Sequence, residues 1–503
     1  MGAEGWRRRV WVDARPWWIL AVVQLGNLMP SMDGSMVAIA LPAMAEATGI
    51  PLGTLQWVVT SYYLTGAVVV LIAGRLGDLL GRARLFTFGF VLFAAASVGS
   101  ALAPDLPLLL ACRVLQAIGG ASLVANGNAI ITSTFTDGRR GFALGLNSTI
   151  LAGGIALGYV VGGLLVDGFG WRSVFLVNLP IGIAATALSV LVLPGRPAAR
   201  KAFRFDYTGA VLLALAVCGL LVGLQRLGQH KALTGDVLAL LGGGVVALVA
   251  LILVERRVAS PLLPLAVFAQ RNVSVGLAAI ALFCAMLAAS GILLPIYLQG
   301  ILGIGAAQAG LALAPYSITM CLLAPFSGIL AEKFNAAWMM AGGAALAMAV
   351  SVGYAFLGID SPLPAVAVGQ LMVGLAAGVF FAPNRVILFS GLADGYLGVV
   401  SGLMQLTRQL TYAVVIAAST LAVTVAVDPY GNLSDLSAAS AVSPAFKEAM
   451  VGAMAAVYLV LAGLLAGAVV LCLWHARTRA AASAAAAAAD SVQPLTPATE
   501  PSP

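Results

Sequence analysis

Three ionisable residues lie inside long apolar stretches of the sequence, namely Asp33, Arg113 and Arg408. A charge at lipid depth is unfavourable unless it pairs with another group or serves a path for ions or substrates. Asp33 is ten residues before Ala43, the end of its apolar run, which is about 15 Å along a helix. Arg113 is six residues into its own run from the same side, about 9 Å. The two side chains are therefore predicted to approach each other, either as a structural ion pair or as a proton or substrate site.

Arg408 stands apart from this pair. It is eleven residues into a later run, about 16 Å deep, and no acidic residue occurs at that depth in the second half of the sequence. Gln405 and Gln409 are close along the chain but neutral. An anionic substrate group, a bound lipid or backbone carbonyls remain as alternative partners for this guanidinium.

Other kinds of chemistry are poorly supported. The five cysteines lie in apolar runs without CxxC spacing, and the two histidines are isolated, so we expect no metal site. No G-x-x-x-x-G-K-[ST] phosphate loop occurs, and no nucleophile–base set is recognisable, so we expect neither an enzyme nor a cofactor. The net charge of +7 is explained by cationic loops at a membrane surface rather than by nucleic-acid binding.

The elements that must position these residues are membrane-spanning helices. Hydrophobic residues make up 61% of the chain and charged residues 9%, against about 25% charged residues in soluble proteins. Asp33 and Pro30 interrupt the first run, which is too long for a signal-peptide core and is therefore read as a retained helix. Runs long enough to span a bilayer number fourteen: 17–43, 54–74, 85–103, 107–130, 141–166, 171–193, 207–227, 236–254, 272–298, 306–331, 338–358, 362–388, 397–427 and 449–475.

The loop charges predict the orientation of these spans. With the N-terminus inside, twenty lysines and arginines fall on inside segments and four on outside segments. This asymmetry is the positive-inside signal, and one missed helix would destroy it. We therefore expect a multi-pass protein of the plasma (inner) membrane with both termini in the cytoplasm.

An internal repeat appears at an offset of 254 residues. It pairs Gly74 with Gly328, Asp78 with Glu332, Gln116 with Gln370 and Gly120 with Gly374. Such spacing predicts two parallel six-helix halves. The predicted organisation is a cytoplasmic N-terminus (1–16), a first half (17–193), a cytoplasmic loop (194–206), two inserted helices (207–254), a second cytoplasmic loop (255–271), a second half (272–475) and a disordered cytoplasmic tail (476–503).

Several motifs resemble those of the major facilitator superfamily, over nearly all of residues 17–475. The stretch from Gly74 through Asp78 and Gly81-Arg82 to Arg84 resembles its loop signature, and Arg113-Val-Leu-Gln116-Ala-Ile-Gly119-Gly120 looks like its helix-4 motif. The segments that resemble its fourteen-spanner drug–proton antiporters are Asp33 through Ala40-Leu41-Pro42, Trp171-Arg172, Phe175, Asn178-Leu179-Pro180-Ile181-Gly182 and Arg408-Gln409.

The resemblance implies roles for these residues. Asp33, Arg113, Gln116 and Arg408 would couple protons to substrate. The loop with Gly74, Asp78, Gly81 and Arg82, together with Asp137 of the next inside loop, would be a conformational latch. Glycines permit the tight turn, and Asp78 suits the positive end of a helix. A simple topogenic charge cluster is the alternative for this loop.

The fifth span carries a stripe of small residues. Gly154, Gly158 and Gly162 recur every four residues, with Gly163 following, and such a stripe favours close helix packing. Antiporters of the family usually have proline after the middle glycine, where this chain has Tyr159. This departure removes a helix bend and keeps a non-antiporting carrier open as an alternative.

A substrate cavity is expected to include aromatic and amide side chains from several spans, chiefly Tyr62, Asn147, Tyr297 and Tyr316. The resemblance implies an all-α membrane transporter that exports amphipathic drugs or antibiotics in exchange for protons. Its partners would be small-molecule substrate, protons and lipid bilayer, with no nucleic acid, and it would act as a monomer. The alternatives are an uncoupled or importing carrier for a sugar, lipid or metabolite, and a non-transporting membrane sensor.

Overall fold

The computed structural model describes residues 3–135, 140–193, 206–230, 234–258, 265–392, 397–430 and 443–491. Within this part of the chain the structure is helical. The sixteen α-helices are α1 (Ala3–Thr48), α2 (Leu52–Leu55), α3 (Trp57–Leu80), α4 (Arg82–Leu102), α5 (Leu106–Thr134), α6 (Arg140–Phe169), α7 (Ser173–Leu176), α8 (Asn178–Val192), α9 (Tyr207–His230), α10 (Gly235–Glu255), α11 (Arg271–Ile296), α12 (Ala306–Lys333), α13 (Ala336–Tyr354), α14 (Leu363–Phe389), α15 (Leu397–Val427) and α16 (Pro444–Ser491).

The predicted all-α membrane fold is confirmed. In the described ranges, twelve segments are long and apolar enough to cross a bilayer, and shorter apolar stretches lie at Gly153–Phe169 in α6 and Tyr207–Gly223 in α9. The outer surface carries large apolar side chains such as Leu191 and Phe356, both about four-fifths exposed. An apolar surface of this kind is compatible with lipid tails rather than water. The backbone polar groups also need no water, because they are hydrogen-bonded within the helices.

The long helices form two six-helix halves. The first contains α1, α3, α4, α5, α6 and α8, and the second contains α11 to α16. The halves meet where α6 packs against α12 and α3 packs against α15, with α1 touching α11. The pair α9 and α10 packs on itself, and α9 also contacts α3 and α15 at the seam between the halves.

The internal repeat is visible in the packing. Gly120 of α5 lies against Tyr62 of α3, and Gly374 of α14 lies against Tyr316 of α12, so that both pairs keep the 254-residue offset. Ser97 and Ser351 also keep it, and each donates a hydrogen bond to a carbonyl one turn earlier in its helix. The two halves therefore share helix contacts as well as helix order.

The ends of the chain differ from the predicted boundaries. Helix α16 continues to Ser491, so residues 476–491 are helical where a disordered tail was predicted. The reason is composition, because this stretch is rich in alanine, the strongest helix former. Residues 492–503 lie outside the described part of the chain. Helix α1 likewise begins at Ala3, before the predicted start of the first span.

A one-residue turn joins α3 to α4. Gly81 has φ of +99°, a conformation that favours glycine, and its N–H donates to the Gly77 carbonyl to close α3. Arg82 follows at once and donates to the Ala129 carbonyl at the end of α5 (3.4 Å). This turn marks one end of the bundle, called here the Gly81 end. The side chain of Asp78 and the whole of Asp137 lie outside the described residues, so the latch stays a prediction.

The glycine stripe of α6 packs as a close helix contact. Gly154 and Gly158 face Ser31 and Ser35 of α1, and a methyl group at Gly162 would lie 2.9 Å from the Met36 Cα. Gly163 faces the other half, where a methyl group would lie 2.5 Å from the Ala306 carbonyl oxygen of α12. The stripe therefore brings α6 against α1 on one side and against α12 on the other.

Candidate functional site

A cavity of about 150 Å³ lies between the two halves. Helices α1, α3, α5 and α6 of the first half and α11, α12, α14 and α15 of the second supply its walls. The residues that line it include Ser31, Ser35, Val59, Tyr62, Tyr63, Gly66, Tyr159, Leu287, Ser290, Tyr316, Gln370, Gln405, Arg408, Gln409 and Tyr412. Its volume is close to that of an apolar cavity that holds one benzene ring. A drug-sized molecule therefore requires the halves to move apart.

Five tyrosines lie in the cavity wall beside aliphatic and small residues. Tyr62, Tyr63 and Tyr159 come from the first half, and Tyr316 and Tyr412 come from the second. The rings of Tyr63 and Tyr412 meet across the halves with centroids 5.1 Å apart, and those of Tyr62 and Tyr63 meet edge to face at 5.7 Å. Aromatic pairs at such distances attract each other. The cavity is therefore an aromatic chamber built jointly by both halves.

Arg408 is the only charged residue among the described residues that line this cavity. It also lines a second, smaller pocket beside the cavity, together with Gln405, Asn384 and Arg385. The depth predicted for Arg408 from the sequence therefore corresponds to a position at the junction of two openings. An acidic partner for Arg408 is missing from the ion pairs of the described residues.

Asp33 and Arg113 form a buried ion pair, as their predicted depths suggested. The Arg113 Nη1 lies 2.6 Å from Asp33 Oδ2, and both side chains are at most 1% exposed. The Arg113 Nε donates to the Val58 carbonyl (2.9 Å), and Nη1 also donates to Gln116 Oε1 (2.5 Å). A charge pair this deep is stable only when such additional hydrogen bonds complete it.

Two amides complete the surroundings of Asp33. Gln116 Nε2 donates to Asp33 Oδ1 (2.8 Å) and to Ser97 Oγ (2.7 Å), and Asn178 Nδ2 donates to the same Asp33 oxygen (3.0 Å). The sequence motif gave Asn178 no role of its own, since it begins α8, far along the chain. The structure brings it to Asp33 because α8 packs against α1. Five helices, α1, α3, α4, α5 and α8, thus contribute to one polar network around a single carboxylate.

Tyr62 separates this network from the cavity. Its ring stacks on the Arg113 guanidinium, with 4.5 Å from Cζ to the ring centroid, and it also lines the cavity. Asp33 itself is fully buried and does not line the cavity. A ligand in this chamber therefore meets Tyr62 first, and Asp33 only through it.

Two residues predicted for the cavity lie elsewhere. Tyr297 is buried at the end of α11 and donates a hydrogen bond to the Gly358 carbonyl (2.6 Å). Asn147 bridges Asn27 and Asn128 by side-chain hydrogen bonds of 2.7 and 2.8 Å inside the first half. Tyr297 and Asn147 are not among the residues that line this cavity, where both were predicted. An isolated polar residue in an apolar run packs in the protein interior as readily as it lines a cavity. Tyr62 and Tyr316 do line this cavity, and their role in binding substrate stays a prediction.

Polar contacts join the halves at the end opposite Gly81, called here the Asp167 end. The Asp167 carboxylate of α6 accepts from the backbone N–H groups of Ala306 (3.1 Å) and Ala307 (2.9 Å), which begin α12. Nearby, Gln299 Nε2 donates to the Ile39 carbonyl (3.0 Å). A carboxylate at a helix N-terminus is favourable because that end is partially positive. The Asp167 end is therefore held closed by charge as well as by packing.

Comparison with known proteins places this architecture among transporters. The family pattern described as Major Facilitator Superfamily matches residues 25–416. A riboflavin transporter from Clostridioides difficile (strain 630) is 30% identical over 398 residues, which are 79% of this chain and 86% of that protein. A tetracenomycin C resistance and export protein from Streptomyces glaucescens is 31% identical over 398 residues, 79% of this chain and 74% of that protein.

Solved structures show the same fold. A bacterial homolog of the human lysosomal transporter Spinster, in an inward-facing and unoccupied conformation, superposes with a TM-score of 0.66. The superposition covers 92% of this chain and 97% of that one at 14% sequence identity.

Proposed function

The chain belongs to the major facilitator superfamily, and we propose that it exports amphipathic small molecules, such as drugs or antibiotics, in exchange for protons. It is a carrier rather than an enzyme. The observation that carries the proposal is the aromatic chamber, which both halves line and which Tyr62 connects to a buried carboxylate. The tetracenomycin C export protein among its relatives supports export of an antibiotic-like molecule.

Transport follows from alternating access. If the halves rock about the chamber, the contacts at the Asp167 end break while those at the Gly81 end form, and the chamber faces one side of the membrane at a time. The proton gradient can drive this cycle, since one charge crossing 100 mV releases about 2.3 kcal/mol.

Asp33 is the proposed proton site. A proton on its carboxylate would leave the Arg113 guanidinium buried without a counter-ion, which is unfavourable by about 3–5 kcal/mol. Arg113 must then find new partners, and Tyr62 shifts with it because the two are stacked. Since Tyr62 lines the chamber, proton binding and substrate binding act on the same ring. Gln116 and Asn178 would hold Asp33 in place through this change.

A second candidate is an uncoupled or importing carrier of a metabolite. The riboflavin transporter among the relatives supports a metabolite as the substrate. Tyr159 also favours this second candidate, because this tyrosine stands where antiporters of the family usually have proline. In the structure Tyr159 lines the chamber, and its carbonyl lies against Gly310 of α12.

The test is a panel of toxic amphipathic compounds, applied to cells that do or do not express the protein, with and without a protonophore. We expect expression to lower the accumulation of several compounds and the protonophore to abolish the difference. A difference that survives the protonophore would indicate the uncoupled carrier. The absence of any difference, with the protein present in the membrane, would contradict export.

We also propose that the Gly81 end faces the cytoplasm, with both termini, and that the Asp167 end faces outwards across the plasma membrane. The loop charges support this orientation. A single cysteine introduced at Arg256, an exposed residue at the end of α10, should react with an impermeant thiol reagent only after the cells are opened. Labelling of this cysteine in intact cells would contradict the proposed orientation.

A further inference from the structure

We propose that the chamber selects flat aromatic substrates that carry an anionic group, and that Arg408 binds the anion. This inference rests on the proposed transport function and specifies its substrate class. It comes from the contrast between the two arginines that lie deep in the bundle. Arg113 is fully paired, whereas Arg408 lines an opening.

The charge of the chamber is positive. Among the described residues that line it, Arg408 is charged and the rest are neutral, and Asp33 is hidden behind Tyr62 with its own cation already bound. Arg385 adds a second cation to the wall of the adjoining pocket. A cationic substrate would therefore find no carboxylate here and would be repelled by Arg408. An anionic group on the substrate would supply a counter-charge for Arg408.

The chemistry of the Arg408 guanidinium limits which anionic groups of a substrate can bind there. Its planar donor array matches the two oxygens of a carboxylate or the oxygens of a sulfonate, and such bonds are among the strongest in proteins. Gln405 and Gln409 lie on the same helix and line the same wall, and their amide groups can donate beside it. An acidic group with two or more acceptor oxygens therefore fits this corner of the chamber.

The rest of the chamber selects for flat rings. Five tyrosines from both halves line the chamber, and aromatic ligands stack favourably on tyrosine rings. An acyl chain can pack against the aliphatic residues of the wall, such as Val59 and Leu287, but it gains no ring stacking. The combination of one arginine with an aromatic wall therefore favours a conjugated aromatic acid over a free inorganic anion or a lipid headgroup.

A matched pair of dyes tests this inference on the purified full-length protein in detergent. Fluorescein is an anionic xanthene, and rhodamine 6G is a cationic ester built on the same ring system. At neutral pH, fluorescence anisotropy should show tighter binding of fluorescein. Arg408→Gln should weaken fluorescein binding by roughly ten- to a hundredfold and leave rhodamine 6G binding unchanged or stronger.

Further variants exclude misfolding as the explanation. Arg408→Lys keeps the charge and should retain most of the fluorescein affinity. Gln409→Glu places a carboxylate beside Arg408 and should weaken fluorescein binding in the same direction as Arg408→Gln. The matched control is Arg256→Gln, at an exposed arginine outside the chamber, and it should change neither dye.

Equal binding of both dyes, or equal loss of both in Arg408→Gln, would overturn the inference. So would displacement of fluorescein by a short-chain phosphatidylglycerol more readily than by naphthoate, because the anion site would then belong to lipid. These outcomes leave the proposed export function standing, since that function is tested by protonophore-sensitive accumulation in cells. Failure of the cell panel with intact fluorescein binding would contradict export but keep the anion site.

Discussion

The two halves of this protein share a scaffold and differ in what they hold at mid-depth. Gly120 contacts the Tyr62 hydroxyl in the first half, and Gly374 contacts the Tyr316 carbonyl oxygen at the corresponding place in the second. The ion pair has no such counterpart, because the positions 254 residues after Asp33 and Arg113 are Leu287 and Ala367. The second half instead contributes Arg408, which faces the chamber.

This difference indicates a division of labour. The buried ion pair of the first half, Asp33 with Arg113, does not line the chamber and could therefore respond to a proton without contacting substrate. A cation that lines a cavity, as in the second half, can respond to substrate without a proton. Tyr63 belongs to the first half but meets the second across the chamber, where it packs on Tyr412. The repeat is therefore kept in the helix packing and broken at the buried charges.

The largest expected effect is at Asp33. Asp33→Asn removes the only ionisable acceptor of the network and should abolish proton-driven transport. It should also lower the stability by about 3–5 kcal/mol, because Arg113 remains buried without a counter-ion. Transport in inside-out vesicles and thermal unfolding of the purified protein measure the two effects separately.

The double variant Asp33→Asn with Arg113→Gln separates stability from coupling. With neither charge buried, most of the lost stability should return, while proton-driven transport should stay absent. If the double variant still transports in response to a proton gradient, Asp33 is a structural residue and the proposed division between the halves fails.

A smaller effect is expected when the equivalent glutamines Gln116 and Gln370 are compared. Gln116→Leu removes three hydrogen bonds from the network and should lower the maximal rate of coupled transport roughly tenfold with little change in KM. Gln370→Leu changes the chamber wall and should raise KM with little change in the dependence on external pH. Identical kinetic changes in both variants would argue against separate roles for the two halves.

The smallest effect is expected at the Asp167 end. Asp167→Asn removes a charge from the N-terminus of α12 and should raise the population with this end open by roughly two- to fivefold. Distances between spin labels at positions 168 and 360, both at this end, measure that population. Asp78→Asn at the opposite end should shift it the other way, because the two ends close alternately. An unchanged distribution in both variants would remove any gating role from these carboxylates.

Much of the fold was predictable because each spanning helix needs a continuous apolar stretch of about 20 residues, which is visible in the sequence. Span 397–427 coincides with α15, and most other spans differ from their helices by only a few residues. Their lengths follow from the thickness of the hydrocarbon layer and the rise of 1.5 Å per residue. The tail was predicted less well, since an alanine-rich stretch has no apolar period and its helix depends on propensity alone.

The rise of 1.5 Å per residue also gave the predicted depths of Asp33, Arg113 and Arg408. The similar depths of the first two predicted that they approach each other, and they form an ion pair in the structure. Depth does not give the direction in which a side chain points. Asn147 and Tyr297 have the composition of cavity residues but lie in interior contacts, whereas Tyr159, which was noted only as a departure from a family pattern, lines the chamber.

The sequence by itself determined the class of protein, the approximate limits of most of the long helices and the repeat. Tertiary structure alone decided which charges are paired, which tyrosines meet across the halves and which end is held by Asp167. The physical reason is that a spanning helix is apolar on every side. Its sequence therefore carries no amphipathic signal to distinguish a face turned to lipid from one turned to a partner or a cavity. Only the packing of the other helices makes that assignment.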